Sequence, residues 1–190
     1  MDKTKNNSDN LTEKCVESNE IYRGHVLCAC VDKIELPDGR IAEREYVKHN
    51  GAVAVIPLLN DGNVIVEEQY RYAQGRIMLE IPAGKLDYIG EIPLEAAKRE
   101  LREETGAIAG KMTYLGLYIP SPAILGERIE MYLAEDLTFG ETELDDDEFL
   151  RVTQKPLGEL LDMVMRGEIP DGKTQLAILK VSELLRKRRL

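Results

Sequence analysis

Three glutamate side chains crowd the segment AAKRELREETG, namely Glu100, Glu103 and Glu104. In a helix, like charges one turn apart each cost roughly 0.2–0.5 kcal/mol. Crowded carboxylates either raise their pKa or bind a cation, and oxygen ligands suit hard ions such as Mg²⁺. The spacing therefore indicates a divalent metal site, and a solvated acidic face is the alternative interpretation.

The element that must position these glutamates is a helix predicted from Pro93 to Thr105. Proline suits the first helical turn, and Gly106 suits the C-terminal stop. At roughly 100° per residue, Glu100 and Glu104 lie at the border of the apolar stripe that faces the sheet. The preceding loop, PAGKLDYIGE, contains glycines that let its backbone approach a ligand closely. Loop and helix together form a candidate phosphate and metal site.

Most of the remaining chain is predicted to form strands. A turn at Leu36–Gly39 between alternating segments predicts an antiparallel meander, and Asn60–Gly62 between apolar segments predicts a central hairpin. Further strands are expected in RIMLEI, KMTYLGLYI and ERIEMYLAEDL, and two helices follow. We expect an α/β (α+β) fold with three parts: a disordered tail over 1–12, the meander over 13–50 and a main domain over 51–190.

Composition and charge exclude several classes of function. The formal net charge of -10 argues against binding to nucleic acid, which depends on Lys and Arg. The one basic run, RKRR, ends the last predicted helix, where positive charge suits the helix dipole. No run approaches the roughly 18 apolar residues of a membrane span. The 3 cysteines fit a reducing compartment, so we expect a cytoplasmic protein with no nucleic-acid or membrane partner.

The acidic helix and its loop resemble the Nudix box, written G-x5-E-x7-R-E-U-x-E-E-x-G-U, where U is a bulky aliphatic residue. There are two departures: Gly84 lies seven residues before Glu91 rather than six, and Ala107 replaces the final bulky residue. The resemblance implies a Nudix-type α/β/α sandwich with a small N-terminal antiparallel β-sheet region. The residues in register are Glu91, Arg99, Glu100, Leu101, Glu103, Glu104 and Gly106.

The resemblance also implies roles for the residues of the box. In this family the glutamates that match Glu100, Glu103 and Glu104 bind a divalent metal, often with the backbone carbonyl of the residue that matches Ala83. The arginine that matches Arg99 steadies the glutamates. The expected cofactor is therefore Mg²⁺ or Mn²⁺, with Arg99 and Glu103 among the catalytic residues.

Outside the box, the chain is similar to the ADP-ribose pyrophosphatase branch, in segments such as EEQYRYA, LEIPAGKLD, SPAILGERI and GEIPDGKT. This similarity implies hydrolysis of ADP-ribose or a related nucleoside diphosphate sugar to AMP and ribose 5-phosphate. Arg71 matches a residue that contacts the phosphates; the alternative is a surface arginine. Glu80 and Glu127 match positions that face the sugars; the alternative is a pair of exposed acids. Ala123 stands where the branch commonly has glycine.

The acidic loop TELDDDEF is interpreted as the source of the general base, as in similar enzymes, or else as a solvated linker. Our choice for the base is Glu148, and Asp146 and Glu143 are its competitors.

Two other functions stay open at this stage. One is the same chemistry on GDP-mannose or a UDP-sugar, and the other is a non-catalytic sensor that binds ADP-ribose. The N-terminal meander has few apolar residues to cover a sheet of its own, and the resemblance implies a homodimer in which this meander packs on the partner.

Overall fold

The computed structural model describes residues 11–144 and 149–188, which form two compact units. The first unit comprises residues 11–49 and 121–127, and the second comprises residues 50–120 and 128–188. Most of the predicted disordered tail over 1–12 lies outside the described residues. The proposed division of the chain at residue 50 stays a prediction.

The first unit contains the predicted antiparallel meander. Its strands are β1 (Lys14–Arg23), β2 (Cys28–Glu35) and β3 (Ile41–Lys48), paired in the order β1-β2-β3. The turn between β2 and β3 is closed by a hydrogen bond from the Leu36 N–H to the Arg40 carbonyl at 2.8 Å, and Gly39 adopts a φ of 84°. All ten residues of β1 are exposed, so this edge strand contributes little to the buried interior.

The second unit contains two further sheets and three helices. One sheet has the order β7-β4-β9-β8, in which β4 and β9 are parallel, and the other has the order β10-β5-β6. Its elements are β4 (Ala52–Pro57), β5 (Asn63–Arg71), β6 (Arg76–Glu80), β7 (Ala83–Lys85), α1 (Pro93–Thr105), β8 (Ala107–Tyr118), β9 (Ile129–Phe139), β10 (Leu150–Pro156), α2 (Leu157–Met165) and α3 (Gly172–Arg188).

Strand β4 is buried on both faces and separates two apolar cores. Successive side chains of a strand point to opposite faces. Ala54 and Ile56 belong to the core that contains residues of α2 and α3, whereas Val53 and Val55 belong to the core that contains residues of α1. The second unit is therefore an α/β/α sandwich, and the predicted fold is confirmed.

The predicted turn at Asn60–Gly62 is present, but the predicted hairpin is wrong. The Leu59 N–H donates to the Asn63 carbonyl at 2.8 Å, and Gly62 has a φ of 86°. The flanking strands then diverge, because β4 pairs with β7 and β9 whereas β5 pairs with β6 and β10. Only an isolated bridge between Leu58 and Val64 joins them beside the turn.

Helix α1 has the predicted bounds. Pro93 occupies the first turn, and Gly106 ends the helix at a φ of 69° with its N–H donating to the Arg102 carbonyl at 2.8 Å. Ala97 and Leu101 are fully buried in the core that also contains Val53 and Val55 of β4. Among residues 11–144 and 149–188, no helix is long and apolar enough to span a membrane.

The end of α1 provides a test of the fold. Gly106 and Gly75 both end a helical turn in the left-handed region, at φ values of 69° and 63°. A methyl group on Gly75 would meet nothing within 4 Å, whereas one on Gly106 would lie 2.7 Å from the Gly140 carbonyl oxygen. We expect Gly75→Ala to lower the free energy of unfolding by about 1–2 kcal/mol through its backbone conformation alone. Gly106→Ala should cost roughly 1–3 kcal/mol more because of the added overlap.

Urea unfolding of the two variants beside the unsubstituted chain measures both free energies. Equal losses would show that the close approach of Gly106 to Gly140 does not contribute.

Candidate functional site

The first part of the site is formed where β7 passes the buried edge of α1. A Cβ atom on Gly84 would lie 2.0 Å from the carboxylate carbon of Glu100, so this carboxylate packs directly on the glycine backbone. The neighbouring Ala83 N–H donates to Oε2 of Glu104 at 3.1 Å. Glu100 and Glu104 are only 9% and 4% exposed, which excludes the interpretation of a solvated acidic face for these two residues.

Arg99 connects the glutamates of α1 with the loop before the helix. Its Nη1 donates to Oε1 of Glu100 at 2.8 Å and to Oε2 of Glu103 at 3.1 Å. Its Nη2 lies 3.4 Å from Asp87 Oδ1 and 3.5 Å from Glu91 Oε1. Glu91 also accepts a hydrogen bond from the Asp87 N–H at 2.7 Å, which fixes the loop conformation. A single guanidinium thus offsets part of the like charge of Glu100 and Glu103 and ties both to the loop before the helix.

These carboxylates also determine the protonation of Arg99. Its partial burial opposes the charge, but the carboxylates of Glu100, Glu103 and Asp87 outweigh burial and raise the pKa of Arg99. Arg99 therefore stays positively charged at any pH at which the protein is folded.

The donor set fits a hard divalent cation. In the described part of the chain, no three acidic, histidine or cysteine side chains are grouped closely enough to hold a metal ion by themselves. Two carboxylate oxygens, from Glu100 and Glu103, nevertheless converge on one cationic nitrogen. Mg²⁺ in proteins is usually held by one or two carboxylates, with waters and substrate phosphates completing the shell. The residues present match that chemistry.

The second part of the site lies at the end of β6. Glu80 is 1% exposed, and Arg71 on the neighbouring strand β5 pairs with it through two parallel hydrogen bonds. Nε of Arg71 donates to Oε1 at 2.7 Å and Nη2 donates to Oε2 at 2.9 Å. Nζ of Lys173 donates to Oε2 as well. Burial opposes the charge of Glu80, but Arg71 and Lys173 outweigh burial and lower its pKa. Glu80 is therefore an ionised, buried carboxylate.

Lys173 is a site residue that sequence reasoning did not identify. It lies in the segment GEIPDGKT, at the first turn of α3, and is 9% exposed. A cation at a helix N-terminus is disfavoured by the helix dipole. A lysine at the start of a predicted helix could therefore have indicated that its ammonium group pairs with an acidic residue outside the helix.

The two parts of the site share one short segment of chain. Glu80, at the end of β6, and Gly84, in β7, are separated by three residues. This segment therefore carries the Arg71 ion pair at one end and the contact with Glu100 at the other.

The remaining predicted residues are placed as follows. Glu127 belongs to the first unit, where its Oε1 lies 3.7 Å from Nε2 of His49.

Glu143 accepts a hydrogen bond from Nη2 of Arg102 at 3.0 Å, and its backbone N–H donates to the Glu103 carbonyl at 3.0 Å. Glu148 and Asp146 lie outside the described residues. The roles of all the predicted site residues stay predictions.

Two family patterns match the sequence. The NUDIX domain matches residues 48–173, and the nucleoside diphosphate sugar hydrolase N-terminal domain matches residues 13–47. Together these matches cover both the meander and the residues around α1.

Known proteins resemble the chain over nearly its whole length. It is 42% identical over 170 residues to an ADP-ribose pyrophosphatase of Bacillus subtilis (strain 168), covering 88% of this chain and 91% of that protein. It is 39% identical over 178 residues to a methanol dehydrogenase activator of Bacillus methanolicus, covering 92% and 96%. The crystal structure of an ADP compounds hydrolase superposes with a TM-score of 0.81 over 94% of this chain and 97% of that chain. At 23% identity, this likeness concerns the fold.

The contact between Gly84 and Glu100 can be tested by a double-mutant cycle. Gly84 does not adopt a left-handed backbone, so alanine there adds only the overlap with the Glu100 carboxylate. We expect Gly84→Ala to lower the free energy of unfolding by about 1–3 kcal/mol. In a Glu100→Ala background the overlap is absent, and the same substitution should cost less than about 0.5 kcal/mol. An equal cost of Gly84→Ala in both backgrounds, measured by urea unfolding, would contradict the contact.

Proposed function

This chain belongs to the Nudix hydrolase family, and on that premise we propose that it hydrolyses the pyrophosphate bond of ADP-ribose or a related nucleoside diphosphate sugar. The products are AMP and ribose 5-phosphate when ADP-ribose is the substrate. The observation that carries the proposal is that one short segment, Glu80–Gly84, joins two features. The Arg71–Glu80 ion pair lies at one end, and the carboxylates held by Arg99 lie against Gly84 at the other. The name of the Bacillus subtilis relative, an ADP-ribose pyrophosphatase, supports the choice of substrate.

Nudix hydrolases generally use a divalent metal, and we propose Mg²⁺, with Mn²⁺ as a substitute. The residues that would hold it are Glu100, Glu103 and Glu104, with the backbone carbonyl of Ala83. A bound Mg²⁺ supplies polarisation of a phosphoryl oxygen and a more acidic water. Arg99 keeps the carboxylates of Glu100 and Glu103 side by side through its Nη1.

The substrate phosphates need a local positive charge, because the protein as a whole is negatively charged. Arg71 provides that charge, since its side chain is 39% exposed while its partner Glu80 is buried. A guanidinium can bind phosphate oxygens through two parallel N–H donors. Glu80 and Glu127 are proposed to face the sugars, as the resemblance implies.

The general base is proposed to come from the acidic loop. Glu143 is already paired with Arg102, which favours a residue farther along the loop. Glu148 stays our choice, with Asp146 as its competitor.

A parallel assay tests the proposed reaction. The purified protein is incubated with ADP-ribose, GDP-mannose and UDP-glucose, with Mg²⁺ or with a chelator, and the products are separated by chromatography. We expect AMP from ADP-ribose only when Mg²⁺ is present. Glu104→Gln should reduce the rate by more than the roughly 10–100-fold that loss of an outer-shell metal partner costs. Glu95→Gln is the matched control, because Glu95 is on the same helix but in an exposed pair with Lys98.

Other outcomes of this assay would replace the proposal. Faster turnover of GDP-mannose or UDP-glucose would support the alternative substrates, for which Ala123 and the longer spacing from Gly84 to Glu91 leave room. Absence of turnover on every substrate, together with tight binding of ADP-ribose by calorimetry, would support a sensor.

We further propose that the protein is a homodimer formed through the first unit. Strand β1 is an edge strand whose residues are all exposed. The exposed fractions of Val16, Ile21 and Tyr22 are 59%, 65% and 58%, which is high for three apolar side chains on one strand. Burying such a surface against a second copy removes apolar area from water.

Light scattering at micromolar concentration tests the dimer. We expect a mass of twice 21.4 kDa, and we expect Ile21→Asp to shift the protein to the monomer, because a charge would be buried in the interface. Met165→Asp is the control, since Met165 is an exposed apolar residue of the second unit at 73% exposure. A monomer of the unsubstituted protein would refute the proposal.

We also propose a cytoplasmic location. Cys15, Cys28 and Cys30 are all free thiols, although the sulfur atoms of Cys28 and Cys30 lie only 3.9 Å apart. Free thiols at this separation suit a reducing compartment. With a net charge of -10, nucleic acid is not among the proposed partners, and neither is a membrane.

A further inference from the structure

The first turn of α3 carries a lysine whose burial has no explanation within the helix. Lys173 is the second residue of α3, where the helix dipole disfavours a cation. It is 9% exposed, so it also loses most of its hydration. Both costs require anionic partners, and Lys173 has two, the buried Glu80 and the neighbouring Asp171.

Lys173 is held in place by a closed set of contacts. Asp171 precedes the helix, and its Oδ2 accepts hydrogen bonds from the Thr174 N–H at 3.0 Å and from the Thr174 hydroxyl at 2.6 Å. The same oxygen lies 3.1 Å from Nζ of Lys173. Oγ1 of Thr174 accepts a hydrogen bond from the Ile81 N–H at 2.9 Å. The helix end is therefore fixed to the residue that follows Glu80, and the position of Nζ is fixed with it.

Glu80 in turn fixes the guanidinium of Arg71. The two hydrogen bonds to Glu80 use Nε and one hydrogen of Nη2, which form one edge of the fork. A guanidinium has five N–H donors. Within the described part of the chain, Nη1 of Arg71 makes no hydrogen bond, so the other end of the fork keeps donors that a phosphate can accept.

We propose that Lys173 is a positioning residue for substrate binding, which acts by holding Glu80 so that Glu80 orients Arg71 toward the diphosphate. This inference rests on the proposed function. With Lys173 present, the buried Glu80 keeps a second cation while Arg71 turns part of its donor set to the substrate. Without Lys173, Arg71 is the remaining cation on Glu80, and substrate phosphate must compete with Glu80 for the guanidinium.

Steady-state kinetics of the Mg²⁺-loaded protein with ADP-ribose test this role. We expect Lys173→Met to raise KM by at least about tenfold, as for removal of one partner from a buried charge pair, while kcat changes by less than about twofold. Lys173→Arg should recover part of the loss because it keeps the charge. Lys180→Met is the matched control on the same helix, because Lys180 donates to the Leu115 carbonyl rather than to a carboxylate, and its KM should not change.

The pH dependence of KM separates positioning from a merely structural effect. Burial raises the pKa of Glu80, but Arg71 and Lys173 outweigh burial and lower it, so removal of Lys173 should raise this pKa. The other acidic groups beside this cluster are Asp171, which contacts Lys173, and Glu67, which lies opposite Glu80 in the register of β5 and β6, and both are kept in every variant. Because protonated Glu80 no longer orients Arg71, KM should rise as pH falls through the pKa of Glu80. We expect this rise to begin at higher pH in Lys173→Met than in the unsubstituted protein.

A double-mutant cycle completes the test. In a Glu80→Gln background the charge that needs Lys173 is gone, so Lys173→Met should add less than about twofold to KM. An unchanged KM in Lys173→Met, an unshifted pH profile, or equal effects of Lys173→Met in both backgrounds would each overturn the positioning role alone. Absence of turnover by the unsubstituted protein on every nucleoside diphosphate sugar would instead overturn the proposed function and this inference with it.

Discussion

The approach of the Glu100 carboxylate to the backbone of Gly84 is the contact on which the site depends. No side chain fits between them, so α1 lies directly against β7. At that distance the Ala83 N–H reaches Glu104, and Arg99 reaches both Glu103 and the loop before the helix. A bulkier residue at position 84 would separate the helix from the strand, and all of these contacts would lengthen.

Charge compensation explains how a protein with a net charge of -10 can keep several carboxylates inside it. An uncompensated buried charge costs several kcal/mol, whereas a hydrogen-bonded pair recovers most of that cost. Arg99 serves the carboxylates of α1, and Arg71 with Lys173 serves Glu80. Arg71 is 39% exposed beside the segment where a diphosphate is proposed to bind, so a cation is available there although the chain as a whole is negative.

Short sequence patterns predicted the features that depend on contacts between residues close together in the chain. The bounds of α1 followed from Pro93 and Gly106, and the β2–β3 turn followed from its proline and glycine. The pattern at Asn60–Gly62 predicted the turn but not that β4 and β5 join different sheets. The sheet that each strand joins depends on its pairing partners, which are β7 and β9 for β4 and β6 and β10 for β5. Two of these strands, β7 and β10, were not predicted. Their short or polar sequences carry little signal without the neighbours that pair with them.

The site residue that the sequence analysis missed is joined to the rest of the site by a long-range contact. Lys173 meets Glu80 across 93 positions of the chain. That contact and the Gly84–Glu100 contact attach the same segment to two helices, α3 and α1, whose residues lie in different cores on opposite faces of β4. The segment Glu80–Gly84 is thus fixed from both layers of the sandwich. A shift of either helix would move one end of this segment. The geometry of the site therefore depends on the packing of both cores.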